Sequence, residues 1–281
     1  MKKQVAYEVG RYGRKAILLD AWPGDMDPFD LAEIECNAAK GWRGANLSLL
    51  SRYPQLKAFT IIDHAIENID AIHELHELQA LNVTTECMTP IRFEAFPRLQ
   101  ECTLEWRPNS DSLFKCLTLQ DLFVNSYNGQ RSEPFGSLIN LESLAILNSP
   151  IQELQGISPL TSLRALRLAN LRKLKSLSGI GELSNLELLD VDSCSGFASI
   201  EEIRHLSHLR QLHLNNLGKV SSLKPLNNLQ FLESVTFYES TNIVDGDLSP
   251  LAGQKNLSNI SFQNRRHYSM RREDFAAAYS G

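Results

Sequence analysis

The 281-residue sequence contains no stretch of about 18 consecutive apolar residues, the length a membrane-spanning helix requires. A helical membrane protein is therefore excluded from the readings. Positive charge is not in excess either. Lys and Arg total 28 against 33 Asp and Glu, giving a net charge of -5. General nucleic-acid binding relies on a basic face and is not expected. The five cysteines, Cys36, Cys87, Cys102, Cys116 and Cys194, form no Cys-x-x-Cys pair, and their number is odd. That usage fits free thiols in a reducing compartment, with Cys36 and Cys102 as small core residues. Two lysines at the start could open a secretory leader, but Glu8, Arg11, Arg14 and Lys15 interrupt any apolar segment behind them. The expectation is a cytoplasmic protein without a cleaved leader.

Signatures of catalysis are also missing. There is no Gly-x-x-x-x-Gly-Lys-Ser/Thr phosphate loop, no Gly-x-Gly-x-x-Gly and no His-Glu-x-x-His. The nearest text is His73-Glu74-Leu75-His76-Glu77, whose histidines are three apart. They are expected on the outer surface as solvated residues, as are His205 and His208. Cys194, within Asp192-Ser193-Cys194-Ser195-Gly196, is expected to point inward as a structural residue, since no activating partner is evident. The reading is a non-enzyme with no metal, no cofactor and no catalytic residue.

What the sequence does contain is a repeat. The pattern Leu-x-x-apolar-x-apolar starts at Leu56, Leu78, Leu99, Leu119, Leu141, Leu163, Leu186, Leu209, Leu232 and Leu257. An earlier copy is Leu31, Ile34, Cys36. In each unit the fourth and sixth positions are apolar and alternate with polar ones, which is strand period. The apolar spacing then switches to three, as in Ile151, Leu154, Ile157 and Leu160, or Val220, Leu223, Leu226 and Leu229, or Ile200, Ile203, Leu206 and Leu209. A period of three suits a 3₁₀ turn on a return leg. One such unit buries too little by itself, so neighbours must stack.

These residues resemble the leucine-rich repeat family, in its short class. The resemblance covers residues 31–268 in eleven copies. It implies an α/β solenoid with a parallel β-sheet on the concave face, 3₁₀ or short helical turns on the convex face, and caps at both ends. The expected organisation is a single solenoid domain, 1–281. Residues 1–30 form a β-hairpin-like cap with strands at Val5–Val9 and Ala16–Leu19, followed by a turn-rich stretch from Ala21 to Pro28. Residues 269–281 form a short C-terminal cap, helical from Arg272 to Tyr279. The family usually places Asn at the ninth position of each unit. Here that position holds His64, Glu86, Arg107, Tyr127, Ser149, Leu171, Cys194, Leu217, Ser240 and Arg265. Ser149, Cys194 and Ser240 could replace Asn in part, and the others are not expected to form a regular ladder. Gly41-Trp42-Arg43-Gly44 reads as an inserted loop, and 108–111 and 128–131 as further loops.

The exposed strand positions are where a rigid sheet would bind a partner. Glu33, Glu35, Asp63, Glu101, Glu105, Asp121, Asp190, Asp192 and Glu239 fall there, against one basic residue, Arg167. Aromatic anchors within an acidic field suit a specific protein interface and would steer a basic partner. The candidate contacts are Glu101, Glu105, Trp106, Asp121, Phe123, Arg167, Asp190, Asp192, His213 and Tyr238. Small repeat proteins without a leader or appended domain resemble bacterial immunity proteins, which implies neutralisation of a toxin or effector by occlusion. A partner of that kind, with no nucleic acid and no membrane, is the leading expectation. The oligomeric state is left open. The alternatives are an adaptor or regulatory subunit, like repeat proteins that bind phosphatases, and an enzyme or small-ligand binder using the groove. The bacterial ubiquitin-ligase subclass is excluded by the short tail, and internalin-like adhesion is disfavoured by the missing leader.

Overall fold

The computed structural model of the protein describes residues 5–19, 22, 30–44 and 46–278. The chain divides into two compact units, residues 1–124 and 125–281. Each has the architecture of a leucine-rich repeat solenoid: parallel strands joined by return legs of 3₁₀ turns.

The first unit begins with an antiparallel hairpin, β1 (Val5–Val9) and β2 (Arg14–Leu18), in the register Val5↔Leu18 to Val9↔Arg14. The expected cap is present, with its second strand starting two residues earlier than the sequence suggested. Five parallel strands follow: β3 (Glu33–Asn37), β4 (Ala58–Ile62), β5 (Ala80–Thr84), β6 (Glu101–Glu105) and β7 (Asp121–Asn125). The second unit carries β8 (Ser143–Leu147), β9 (Ala165–Ala169), β10 (Leu188–Asp192) and β11 (Gln211–Asn215). After the two-residue β12 (Lys219–Val220) come β13 (Ser234–Phe237), β14 (Asn242–Ile243) and β15 (Asn259–Phe262). β12 and β14 pair with each other as a small separate sheet.

From β3 to β11 these strands occupy the third to seventh positions of their repeats. The alternation explains why. Leu144 and Ile146, Leu166 and Leu168, Leu189 and Val191, and Leu212 and Leu214 are all buried. Their neighbours in sequence must then face the other way. The pairing is in register, so equivalent side chains form rows across the sheet, as in Asp190↔Arg167 and Asp190↔His213. One backbone contact recurs in both units: the carbonyl of the second repeat position accepts two N–H groups from the next repeat. Lys57 O takes Gln79 N at 2.7 Å and Ala80 N at 3.0 Å, and Glu142 O takes Arg164 N at 2.8 Å and Ala165 N at 3.0 Å.

The period of three gives 3₁₀ turns on the return legs, at Gln155–Ile157, Glu201–His205 and Lys224–Asn228 among others. Ile157, Ile203 and Leu226 are fully buried there. The 41–44 segment is more than a loop. Asn37 caps a 3₁₀ turn at Ala38–Lys40, Gly41 closes it with φ 112°, and Trp42 sinks into the core at 1% exposure. Trp22 meets Trp42 edge-on and stacks on Tyr53. The turn-rich stretch expected from Ala21 to Pro28 lies, except for Trp22, outside the described residues. Of the other two expected loops, 108–111 turns at Asn109 (φ 59°) but buries Ser110. At the far end α1 (Ser249–Ala252) replaces a 3₁₀ turn, and α2 (Arg272–Ala278) packs Phe275 edge-on against Phe262 at 6.0 Å. Tyr279, placed in that helix by the sequence, lies outside the described residues.

All five cysteines are buried and free. Cys194 points inward, as expected, and its thiol donates to Asp192 O at 3.2 Å and Leu168 O at 3.7 Å. Burial pushes its pKa up to about 12, which disfavours the thiolate form.

The ninth positions correct the sequence reading at Ser149 and Ser240. Ser149 Oγ is buried with no partner, so it does not replace the family's Asn. Ser240 is exposed, and the next residue, Thr241, takes the inward role: it accepts Leu217 N at 3.0 Å and donates to Leu214 O at 2.7 Å. Arg107, not expected to join a regular ladder, is 3% exposed and donates individually to Cys87 O at 3.0 Å, Thr85 O at 3.4 Å and Glu105 O at 3.5 Å. Arg265 does the same at the other end, reaching Glu239 O and Thr241 O. A long guanidinium can satisfy several carbonyls where a short amide would satisfy one.

His73 is a further correction. It is 6% exposed rather than solvated. Its Nδ1 donates to Asp70 O at 2.9 Å, its Nε2 accepts Arg92 N at 3.0 Å, and its ring stacks on Phe96. Burial first, then the Arg92 charge, hold its pKa below the usual histidine value. His76, His205 and His208 are exposed as expected.

Candidate functional site

The open face of the sheet carries the first, third and fifth residues of each strand. In the first unit the hairpin changes what this face presents. Gly10 lies close against Glu33: a Cβ there would lie 2.4 Å from the Glu33 carboxylate, which would have to shift to admit it. Tyr12 N donates to Glu33, which is 8% exposed. Glu35, 4% exposed, is held by Lys15 at 2.8 Å, by Lys40 and by Asn37 Nδ2 at 3.0 Å. Burial raises its pKa, but these partners prevail and it sits below the usual carboxylate range. Asp63 is also buried, with Oδ1 accepting Ala65 N at 2.9 Å. Glu33, Glu35 and Asp63 are thus structural acids, not part of an exposed acidic column. Nor is Arg167 the only cation near the face, because the hairpin brings Arg11 and Lys15 to it.

Among the candidate contacts of this unit, Glu101 is half-buried and accepts from Arg11 Nη1 and, at 3.3 Å, from Tyr12 Oη. Glu105 and Phe123 are half-buried on the open face, and Asp121 is exposed at the start of β7. Trp106 lies one residue beyond β6, and its ring packs 5.7 Å from Phe114 on the return leg. It belongs to the rim rather than to the strand columns. A trough of about 330 Å³ opens on this face, lined by Ala58, Thr60, Ala80, Asn82, Glu101, Thr103 and Asp121 together with Phe59, Leu81 and Cys102. Sequence reasoning missed it, although the two alanines at equivalent strand positions were the available signal.

In the second unit the candidates form a tighter group. Register sets Arg167, Asp190, His213 and Thr236 in one row across β9, β10, β11 and β13. His213 Nδ1 is 2.7 Å from Thr236 Oγ1. Half-burial raises the pKa of Asp190, an effect opposed by His213 and Arg167 and reinforced by Asp192. Asp192 accepts from Ser193 Oγ at 2.6 Å. Tyr238 lies just past β13, its N–H on Asn215 Oδ1 at 3.1 Å and its hydroxyl on Ser261. Among the described residues no group of three or more His, Cys, Asp or Glu side chains could hold a metal ion, and no helix is long and apolar enough to cross a membrane.

Comparison with solved structures places this geometry. An internalin of Listeria monocytogenes, InlF, matches over 85% of this chain and 71% of its own, with 19% identity and a TM-score of 0.65. The functional domain of InlJ from the same organism matches over 82% and 49%, with 19% identity and a TM-score of 0.61. A leucine-rich repeat protein of Leptospira interrogans matches over 84% and 73%, with 17% identity and a TM-score of 0.51. No protein-family model and no curated protein matches the sequence. At these identities the likeness is one of fold. The chain has the leucine-rich repeat fold, and its structural neighbours are leucine-rich repeat proteins.

Proposed function

We propose that this chain is a non-enzymatic module that binds another protein on the open face of its sheet. The observation that supports this reading is the in-register row Arg167, Asp190, His213, Thr236. Parallel pairing fixes these side chains on a rigid platform, so docking costs little ordering of the protein. Asp190 is already partly dehydrated, which lowers the further cost of covering it. Asp192 and Tyr238 flank the row, and Glu105, Asp121 and Phe123 offer acidic and aromatic contacts in residues 1–124. A flat row of this kind suits a protein surface better than a small substrate, which needs an enclosing pocket.

The more specific reading is a cytoplasmic neutraliser of a toxin or effector, acting by occlusion of a basic cleft. The acids still exposed or half-exposed after the hairpin has paired its own, Glu105, Asp121, Asp190 and Asp192, favour such a partner. The test is capture from a lysate of the source cell at low and moderate salt. Asp190→Lys with Asp192→Lys is expected to weaken binding by about 2–3 kcal/mol. Equal capture by wild type and a folded double variant would overturn the face assignment. A captured partner whose toxicity the wild-type protein suppresses would establish neutralisation, and a housekeeping enzyme would establish an adaptor.

A further inference from the structure

The trough of the first unit has a chemistry of its own. Its width comes from Ala58 and Ala80, which stand at equivalent positions of β4 and β5. Beyond them Thr60, Asn82 and Thr103 supply hydroxyl and amide groups, and Glu101 and Asp121 supply carboxylates at one side. No lining residue is basic. Asp121 is exposed and makes no ion pair among the described residues. An anionic ligand would meet the Asp121 carboxylate and a Glu101 carboxylate that Arg11 offsets only in part, and an apolar one would strand five polar side chains.

The chain itself shows what these carboxylates accept. Arg11, at the tip of the β1–β2 turn, places its guanidinium on Glu101. Its side chain remains 69% exposed, so solvent surrounds the rest of it and the contact is weakly held. The neighbouring trough, of about 330 Å³, has room for one more long side chain. A planar guanidinium fits this site better than an ammonium. Its five donors can be shared between Glu101, Asp121 and the threonine hydroxyls in a fixed fork.

We propose that the trough bounded by Ala58, Ala80, Glu101 and Asp121 is a receptor for an arginine side chain of the partner protein, for which Arg11 competes at Glu101. This rests on the reading of the open face as a protein-binding surface, and adds to it a second contact point that is independent of the Asp190 row. The hairpin thereby sets the strength of that contact. Removing Arg11 leaves Glu101 with only the Tyr12 hydroxyl, at 3.3 Å, and open to the incoming guanidinium.

The test needs no partner. The isotope-labelled full chain is titrated with N-acetyl-arginine amide and, in parallel, with the neutral isostere N-acetyl-citrulline amide, following backbone amide resonances. Saturable shifts at Thr60, Ala80, Asn82 and Thr103 are expected with arginine, and binding about tenfold weaker with citrulline. Asp121→Asn should weaken arginine binding, Ala80→Leu should abolish it, and Arg11→Ala should strengthen it. The Asp190→Lys, Asp192→Lys variant should bind the probe as wild type does. Asp121 is exposed, so its variant remains informative even if Ala80→Leu perturbs the fold. Absence of saturable shifts, equal shifts with citrulline, or shifts unaffected by Asp121→Asn would overturn the proposal. Failure here with capture still lost in the double-lysine variant would sink the trough alone. Success here with no captured partner would sink the protein-binding reading and leave a guanidinium site.

Discussion

The two units solve the same problem with different parts. Each strand must turn sharply into a return leg, and the turn leaves backbone groups to satisfy. In residues 125–281 the eighth repeat position solves it by conformation. Ser126, Asn148, Asn170, Ser193, Asn216 and Glu239 all adopt positive φ, between 52° and 60°. In that geometry the N–H of Asn148 reaches Ala169 O, that of Asn170 reaches Asp192 O and that of Ser193 reaches Asn215 O, at 2.9–3.0 Å. The asparagine side chains add a ladder of their own, from Asn170 to Asn148 and on to Asn125. Asn tolerates this region better than most residues, which is why it recurs at the corner. In residues 1–124 the corners hold Asp63, Thr85 and Trp106, none with positive φ. There Asp63 N still reaches Thr84 O, at 3.2 Å and without positive φ, and side chains supply more: the Asp63 carboxylate accepts Ala65 N, and the Arg107 guanidinium spans three carbonyls. Regular sequence favours a backbone solution, and where the repeat departs from it, at Arg107 and again at Thr241 and Arg265, individual side chains supplement it.

The comparison can be broken most severely at Arg107. Arg107→Ala strips the buried carbonyls of Thr85 and Cys87 of their donor. A loss of about 3 kcal/mol in unfolding free energy is expected, read from denaturant titration. It should fall on residues 1–124, with hydrogen exchange of 125–281 changing less. Asn170→Ala removes both an αL-tolerant residue and a rung of the ladder, for an expected loss of about 1–2 kcal/mol. Among the described residues Glu239 is the one long side chain at a positive-φ corner, so Glu239→Gly should relieve strain and stabilise by about 0.5–1 kcal/mol. A destabilisation by Glu239→Gly would mean that the side chain contributes more than its backbone conformation costs.

The smallest effect at neutral pH belongs to His73. Its pKa is depressed in the fold, so the unfolded chain takes up a proton that the folded chain resists. The associated stability is complete above the unfolded histidine value of about 6.5 and drains away as pH falls below it. Wild type should therefore lose stability more steeply than His73→Gln between about pH 7.5 and 5.5. Parallel slopes would show that His73 is not held neutral by its burial and by Arg92.

The strand positions were legible in the sequence almost residue by residue. An apolar alternation locked to Leu at the first position leaves no freedom of register, because a one-residue slip would turn every core side chain outward. The 3₁₀ return legs followed from a period of three for the same reason. The hairpin's effect on the open face was not legible. Contacts such as Arg11 with Glu101 join residues ninety apart and leave no local pattern, so Glu33 and Glu35 looked like exposed acids when they are paired and covered. Ser240 was misread because the repeat from Leu232 gains one residue after its corner, which moves the inward position to Thr241. The asparagine corners could have been found: Asn148, Asn170 and Asn216 share one repeat position, and Asn is the residue other than glycine that favours αL. The Asp190 row was legible because parallel register follows from the repeat itself.

The central claim is that the open face binds and the return leg supports. Carbodiimide labelling of carboxylates, in the free protein and with its captured partner bound, tests that division most directly. Asp190 and Asp192 lie on the open face, and Glu201 and Glu202 on a return leg of the same unit. The account predicts that the partner protects Asp190 and Asp192 while Glu201 and Glu202 label as before. Protection of Glu201 and Glu202, with Asp190 and Asp192 still reactive, would contradict it.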